Sequence, residues 1–97
     1  MADPTTIAPH VYKAVLENDQ VRVLEVRMKP GDKTELHGHP AVVAIMLRGG
    51  KARFEPSDGE PMEMEMPSGE AMYLPATEHT TENVGDNEVH GFLIELK

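Results

Sequence analysis

Apolar residues along this chain recur at every second position in short runs, and clusters of Gly, Pro, Asn and Asp separate the runs. That is the period of β-strands, whose side chains alternate between two faces, and no stretch reads convincingly as a helix. "VYKAVLE" and "VRVLEVRM" flank Asn18 and Asp19 and predict a hairpin; "KPGDK" is a turn; "TELHGH" alternates. "AVVAIML" has the length and composition of a buried strand, and "RGGK" turns the chain into "ARFE". Asp58 and Gly59 mark a further hairpin turn before "MEMEM", and "AMYLP", "HTTENV" and "EVHGFLIELK" follow between turns. About eight or nine short strands at regular spacing predict an all-β barrel or sandwich. Residues 1–9, with two prolines and small polar residues, read as an extended or frayed arm, which leaves 10–97 as the domain.

Length and charge narrow the function classes. A chain of 97 residues has room for one modest core, burying roughly 65% of the surface it exposes when unfolded. A formal net charge of −8 disfavours nucleic acid and anionic membranes as partners, because both demand clustered Lys and Arg. With no cysteine there is neither a disulfide framework nor a thiolate ligand or nucleophile. The opening "MADPTTIAPHVYK" has no basic n-region or apolar h-region, and no apolar run approaches the roughly 18 residues of a membrane span. The expectation is a soluble cytoplasmic protein.

The chemistry concentrates at "ELHGHP". On a strand Glu35, His37 and His39 share one face, so two imidazoles converge, and neutral imidazole is the commonest protein ligand for zinc and a good one for iron, copper and nickel. Alone, the pair reads equally as two partly exposed histidines beside a turn. A second stretch, "GEAMYLPATEHTTEN", changes the balance. Together the two resemble the motifs of the cupin superfamily. The first of these is a glycine, five residues, H-x-H, a glutamate and a closing glycine, matched by Gly31, His37, His39 and Gly49 or Gly50. The second is matched by Gly69, Pro75, His79 and Asn83.

The resemblance implies a single-domain jelly-roll β-barrel in which His37, His39 and His79 hold a divalent transition metal, iron first, with zinc, nickel, manganese or copper as alternatives. Two departures stand out. Val42 and Val43 occupy the place of the family's glutamate ligand, and "PATEH" is one residue shorter than the family's loop and lacks its glycine. The resemblance therefore narrows to three-histidine cupins, which include acetylacetone-cleaving and cysteine dioxygenases. A neutral ligand set leaves the ion's charge to attract an anionic, chelating molecule. The resulting expectation is a metal-dependent dioxygenase or isomerase acting on a small enolisable or carboxylate substrate; the alternative is a non-catalytic metal- or small-molecule-binding module.

Other residues have plainer readings beside their chemical ones. Glu35 and Tyr73 are the candidates for proton handling, although a barrel-mouth position and simple packing are the ordinary explanations. Glu78 reads as a solvated loop residue, His10 as peripheral, and His90 as a core-edge or interface residue in phase with Phe92, Ile94 and Leu96. Met62, Met64 and Met66 form one face of a strand and read as core. Alternate members of the run from Val42 to Leu47 must face inward and make the cavity apolar. Apolar residues on both faces of the terminal strands predict a homodimer.

Overall fold

The computed structural model describes residues 2–97 and is nearly all β. The short helical turn α1 (Pro4–Ile7) precedes β1 (Tyr12–Glu17), β2 (Val21–Met28), β3 (His37–His39), β4 (Val42–Arg48) and β5 (Gly50–Pro56). The chain continues through β6 (Met62–Met66), β7 (Ala71–Leu74), β8 (Thr77–Asn83) and β9 (Val89–Leu96). They form a five-stranded sheet in the order β1-β2-β9-β4-β7 and a four-stranded sheet in the order β3-β8-β5-β6. Every pairing between these strands is antiparallel. The architecture is thus two facing sheets of jelly-roll type and not a closed barrel.

Local chemistry explains the connections. Asp32 N–H donates to the Lys29 carbonyl at 3.0 Å across Pro30 and Gly31, and Gly31 has φ +87°, the left-handed value that a type II turn requires at that position. The β1–β2 hairpin forms around Asn18, whose Oδ1 accepts from the Gln20 and Val21 N–H groups. Gly91 is inward-facing on β9 beside the β4 bulge between Met46 and Arg48, and a Cβ there would lie 2.5 Å from the Ile45 carbonyl oxygen. No side chain larger than hydrogen fits without moving that strand.

The core lies between the sheets. Leu24, Val26 and Met28 of β2, Ala44 and Met46 of β4, and Val89 and Leu93 of β9 meet Ala52 of β5 and Met66 of β6. The methionine stripe on β6 is graded rather than uniformly buried: Met66 is in the core, Met64 packs against it, and Met62 is 52% exposed.

One expectation changes, and the faces of β9 become clear. The N-terminal segment is not a loose arm: Asp3 caps α1 through the Thr5 N–H at 2.8 Å, Pro4 and Ala8 are buried, and the Gly38 N–H donates to the Ala2 carbonyl at 2.8 Å. Edge strand β3 thereby finds an acceptor for an otherwise unpaired donor. On β9 the inward set is Val89, Gly91, Leu93 and Glu95, and His90, Phe92 and Ile94 lie on the outer face. Apolar residues occur on both faces of that strand, so alternation alone does not say which face is core.

Candidate metal centre

Three histidines meet at one end of the space between the sheets. On the β3–β8 pair His37 lies directly opposite His79, and His39 stands one pleat further along the same face of β3. The ring centroids are 4.9 Å apart for His37–His39, 5.0 Å for His37–His79 and 5.4 Å for His39–His79. Ligand nitrogens from the three rings all lie within 4.8 Å of one another, and all three side chains are buried. The shortened "PATEH" loop still lets His79 reach the group.

The hydrogen bonds define what the rings can offer. His37 Nδ1 lies 2.9 Å from the Glu35 carbonyl oxygen, which can only accept, so Nδ1 carries the proton and Nε2 presents a lone pair. His39 Nδ1 lies 3.2 Å from Glu95 Oε2, which leaves Nε2 as its free nitrogen in the same way. The Nε2 atoms of His37 and His79 are buried with no hydrogen-bond partner. Such orphaned atoms are uncommon in a folded interior, and two of them converging within a three-ring cluster fit a metal.

Electrostatics supports neutral rings. Burial, reinforced by His37 and His39, holds His79 at about 3, and burial with His39 nearby lowers His37. Lone pairs are therefore available at neutral pH without displacing a proton.

Behind His39 lies a carboxylate that the strand pattern concealed. Glu95 is 4% exposed and accepts from Arg22 Nε at 2.8 Å. Arg22 in turn donates through its two terminal nitrogens to Asp3, at 2.9 and 3.3 Å. Burial pushes the Glu95 carboxyl up, but the hydrogen bonds from His39 and Arg22 outweigh it and hold it below the ordinary range. Tyr12 is a second concealed neighbour, its ring 5.1 Å from His37 and 5.5 Å from His39. Burial raises its phenol to about 12, so it is neutral at physiological pH and able to donate. In sequence Tyr12 reads as the start of a strand; its phase with the inward face of β2, through its partner Val26, is the signal that could have identified it.

The remaining candidates lie elsewhere. Glu35 is exposed and meets the site only through its backbone carbonyl, because its side chain faces solvent just before β3 begins. Tyr73 is 64% exposed, opposite Val43 on the outer face of the five-stranded sheet. Neither side chain reaches the cavity, so both proton-handling assignments are corrected. Glu78, opposite Gly38, alternates out of phase with His79. His10 Nε2 pairs with the Lys33 carbonyl at 2.9 Å and His90 Nε2 with Glu25 at 2.8 Å, both away from the cluster. Asn83 of the second motif is structural: its Nδ2 donates to the Met28 and Asn87 carbonyls, tying β8 to β2.

The histidines open onto an apolar cavity of about 60 Å³ bordered by Val42, Phe54, Met64, Met72, Leu74 and Leu93. It continues past Phe54, Leu74 and Pro75 into a wider space of about 180 Å³ reaching Pro56 and Met62. Val42, Ala44 and Met46 are the inward members of β4, and Val43, Ile45 and Leu47 are not.

Comparison with known proteins agrees with this geometry. A cupin domain protein from Bordetella pertussis superposes with a TM-score of 0.81 at 27% identity, over 90% of this chain and 92% of that one. An RmlC-like cupin family protein with a double-stranded β-helix fold, from Methanocaldococcus jannaschii, gives a TM-score of 0.70 at 17% identity, over 89% and 78%. A conserved protein with a double-stranded β-helix domain, from Klebsiella pneumoniae, gives 0.69 at 19% identity, over 89% and 75%. No curated protein matches the chain. Among the described residues no helix is long and apolar enough to cross a membrane. The model of the cupin domain matches residues 24–95, from the core strand β2 to the buried carboxylate of β9, and the chain belongs to the cupin family.

Proposed function

We propose that this cupin is a metal-dependent enzyme, a dioxygenase or isomerase, acting on a small enolisable or carboxylate substrate. The observation that carries the reading is the pair of orphaned, buried Nε2 atoms on His37 and His79, within ligand distance of His39. A divalent ion held there by His37, His39 and His79 supplies Lewis-acid charge, and the neutral ring set leaves that charge undiminished for an anionic group. Iron is the first choice for the dioxygenase reading.

The surrounding residues favour a substrate with one polar end. The cavity is lined almost wholly by carbon and sulfur, so a carboxylate or enolate finds its partners only at the histidine end, beside the neutral Tyr12 phenol. The wider space along Phe54, Pro56 and Met62 takes an apolar remainder. Tyr12, buried beside the histidine rings, rather than the exposed Tyr73, is the phenol in this reading that would donate to a developing oxyanion.

A second reading rests on a different observation. With Glu35 and Tyr73 outside, the cavity lining holds no carboxylate to act as a general base, which suits a binding module without turnover. Two measurements separate the readings. Metal analysis of untagged protein is expected to find one transition metal per chain, lost on replacing His37, His39 or His79 by Ala and kept in His10→Ala and His90→Ala; equal occupancy in all five variants removes the centre. Oxygen uptake or isomerisation by the iron-loaded protein, screened over small diketones and aromatic acids, then supports the enzyme; saturable binding with no turnover supports the module.

A further inference from the structure

A carboxylate buried to 4% exposure needs a physical reason, because loss of its hydration is unfavourable unless its lone pairs find donors. Glu95 uses both oxygens: Oε1 accepts from Arg22 Nε at 2.8 Å and Oε2 from His39 Nδ1 at 3.2 Å. Arg22 has its remaining donors on Asp3, in the N-terminal turn. Asp3, Arg22, Glu95 and His39 therefore form one line of charge-assisted contacts from the surface to the histidine cluster. The cross-strand partner of Glu95 on β4 is Val42. A carboxylate is thus retained at this level of the fold, on the neighbouring strand and behind an imidazole.

We propose that Glu95, oriented by Arg22 and Asp3, is a positioning residue that locks His39 in its Nδ1–H tautomer and so presents Nε2 as the third metal donor. The role rests on the three-histidine metal reading. His37 obtains the same lock from a backbone carbonyl, which no substitution of its own side chains removes. His39 depends on a side chain and is the adjustable member of the set. An ionised carboxylate also raises the basicity of the imidazole it accepts from, and strengthens it as a ligand. The N-terminal turn is then part of the support of the centre, joined to it by the Asp3–Arg22 pair and by the Gly38 N–H bond to Ala2 between the two β3 histidines.

Glu95→Gln tests the idea with almost no change of shape. Arg22 Nε–H still demands an acceptor, so the amide oxygen stays on Arg22 and the amide nitrogen turns to His39. A donor then faces Nδ1, the imidazole proton moves to Nε2, and the lone pair leaves the cavity. Long-range proton–nitrogen correlation spectra of metal-free, ¹⁵N-labelled protein are expected to show His39 as the Nδ1–H tautomer in wild type and as Nε2–H in Glu95→Gln. Cobalt(II) affinity, followed by its visible spectrum, is expected to fall roughly 10–100-fold in the variant. A role confined to packing leaves both readouts at wild-type values. An Nε2–H tautomer in wild-type protein, which needs no variant to fold, overturns the proposal, as does undiminished cobalt affinity in Glu95→Gln. Failure of wild type to bind cobalt at all removes the metal reading, and this role with it.

Discussion

At the scale of single residues, Val42 and Glu95 show what the sequence reveals and what it conceals. Val42 is 3% exposed and lines the cavity with His39 and His79, whereas Val43 is half-buried on the opposite face, between Tyr73 and Ile94. Counting in twos from the H-x-H pair would put Ala41 and Val43 inward; the phase shifts by one at Pro40 and Ala41, where the chain passes from one sheet to the other, so the pair alone does not give the register of β4. Glu95 is not legible: a single glutamate in "FLIELK" reads as the solvated member of its strand, and only its distant partners Arg22 and His39 explain its burial. The pairing also alters what Val42→Glu should do. The new carboxylate enters the cavity across from Glu95, and like charges opposed on adjacent strands repel. Metal-free Val42→Glu is expected to lose on the order of 3 kcal/mol in stability. Added metal is expected to recover much of this, with tighter binding than wild type. Val43→Glu is expected to leave metal affinity unchanged, because its side chain lies on the outer face, and to lower stability by setting an unpaired charge among the apolar residues of that face. Chelator competition and chemical unfolding of both variants decide it; tighter metal binding by Val43→Glu would mean that this strand presents its other face.

At the scale of elements, the strands were readable from alternation and turns, and the N-terminal turn was not. Its prolines and small polar residues carry no periodic signal, and its order comes from partners far along the chain: Arg22, and the Gly38 N–H on β3. The Asp3 carboxyl gives this docking a pH dependence. Burial pushes it up, but hydrogen bonds from Arg22 and Thr5 prevail and lower it from 3.8 to about 2. A group whose folded value is depressed contributes stability above its unfolded value and loses it as pH falls through the folded one. The contribution of Asp3 is therefore complete above about pH 4 and gone near pH 2. Because the side chain is 43% exposed, screening keeps it below about 1 kcal/mol. Wild type is expected to exceed Asp3→Asn in stability at pH 6, with the difference closing between pH 4 and pH 2. A gap that stays constant over that range would place the benefit of Asp3 in its neutral contacts instead. The two faces of β9 belong to this scale too, since a strand apolar on both faces does not reveal which one is core.

At the scale of the whole molecule, the doubly apolar strands present an apolar outer face. Phe92 and Ile94 of β9, Val43 and Ile45 of β4 and Val23 of β2 share the outer face of the five-stranded sheet, bordered by Tyr73. The charged residues beside them are internally matched: Glu25 pairs with His90 at 2.8 Å and with Arg27 at 3.7 Å, and Arg27 also reaches Glu88 at 3.4 Å. With histidine counted neutral, Glu25 and Glu88 face one arginine, so these groups carry little of the chain's net charge of −8. Two copies meeting through this face bring matched charges together, and a two-fold axis sets the acid of one copy against the base of the other. The expected assembly is a homodimer that buries this face and leaves the cavity mouth, on the other side of the sheet, open. Sedimentation at micromolar concentration should give twice the 10.7 kDa chain mass. Added salt should strengthen association, because it screens the long-range repulsion between two acidic chains more than it weakens short contacts. Phe92→Arg, at the middle of the face, should yield monomers with metal binding intact, since its side chain points away from the histidines. A wild-type chain that sediments as a monomer would show that the apolar outer face is not covered by a second copy.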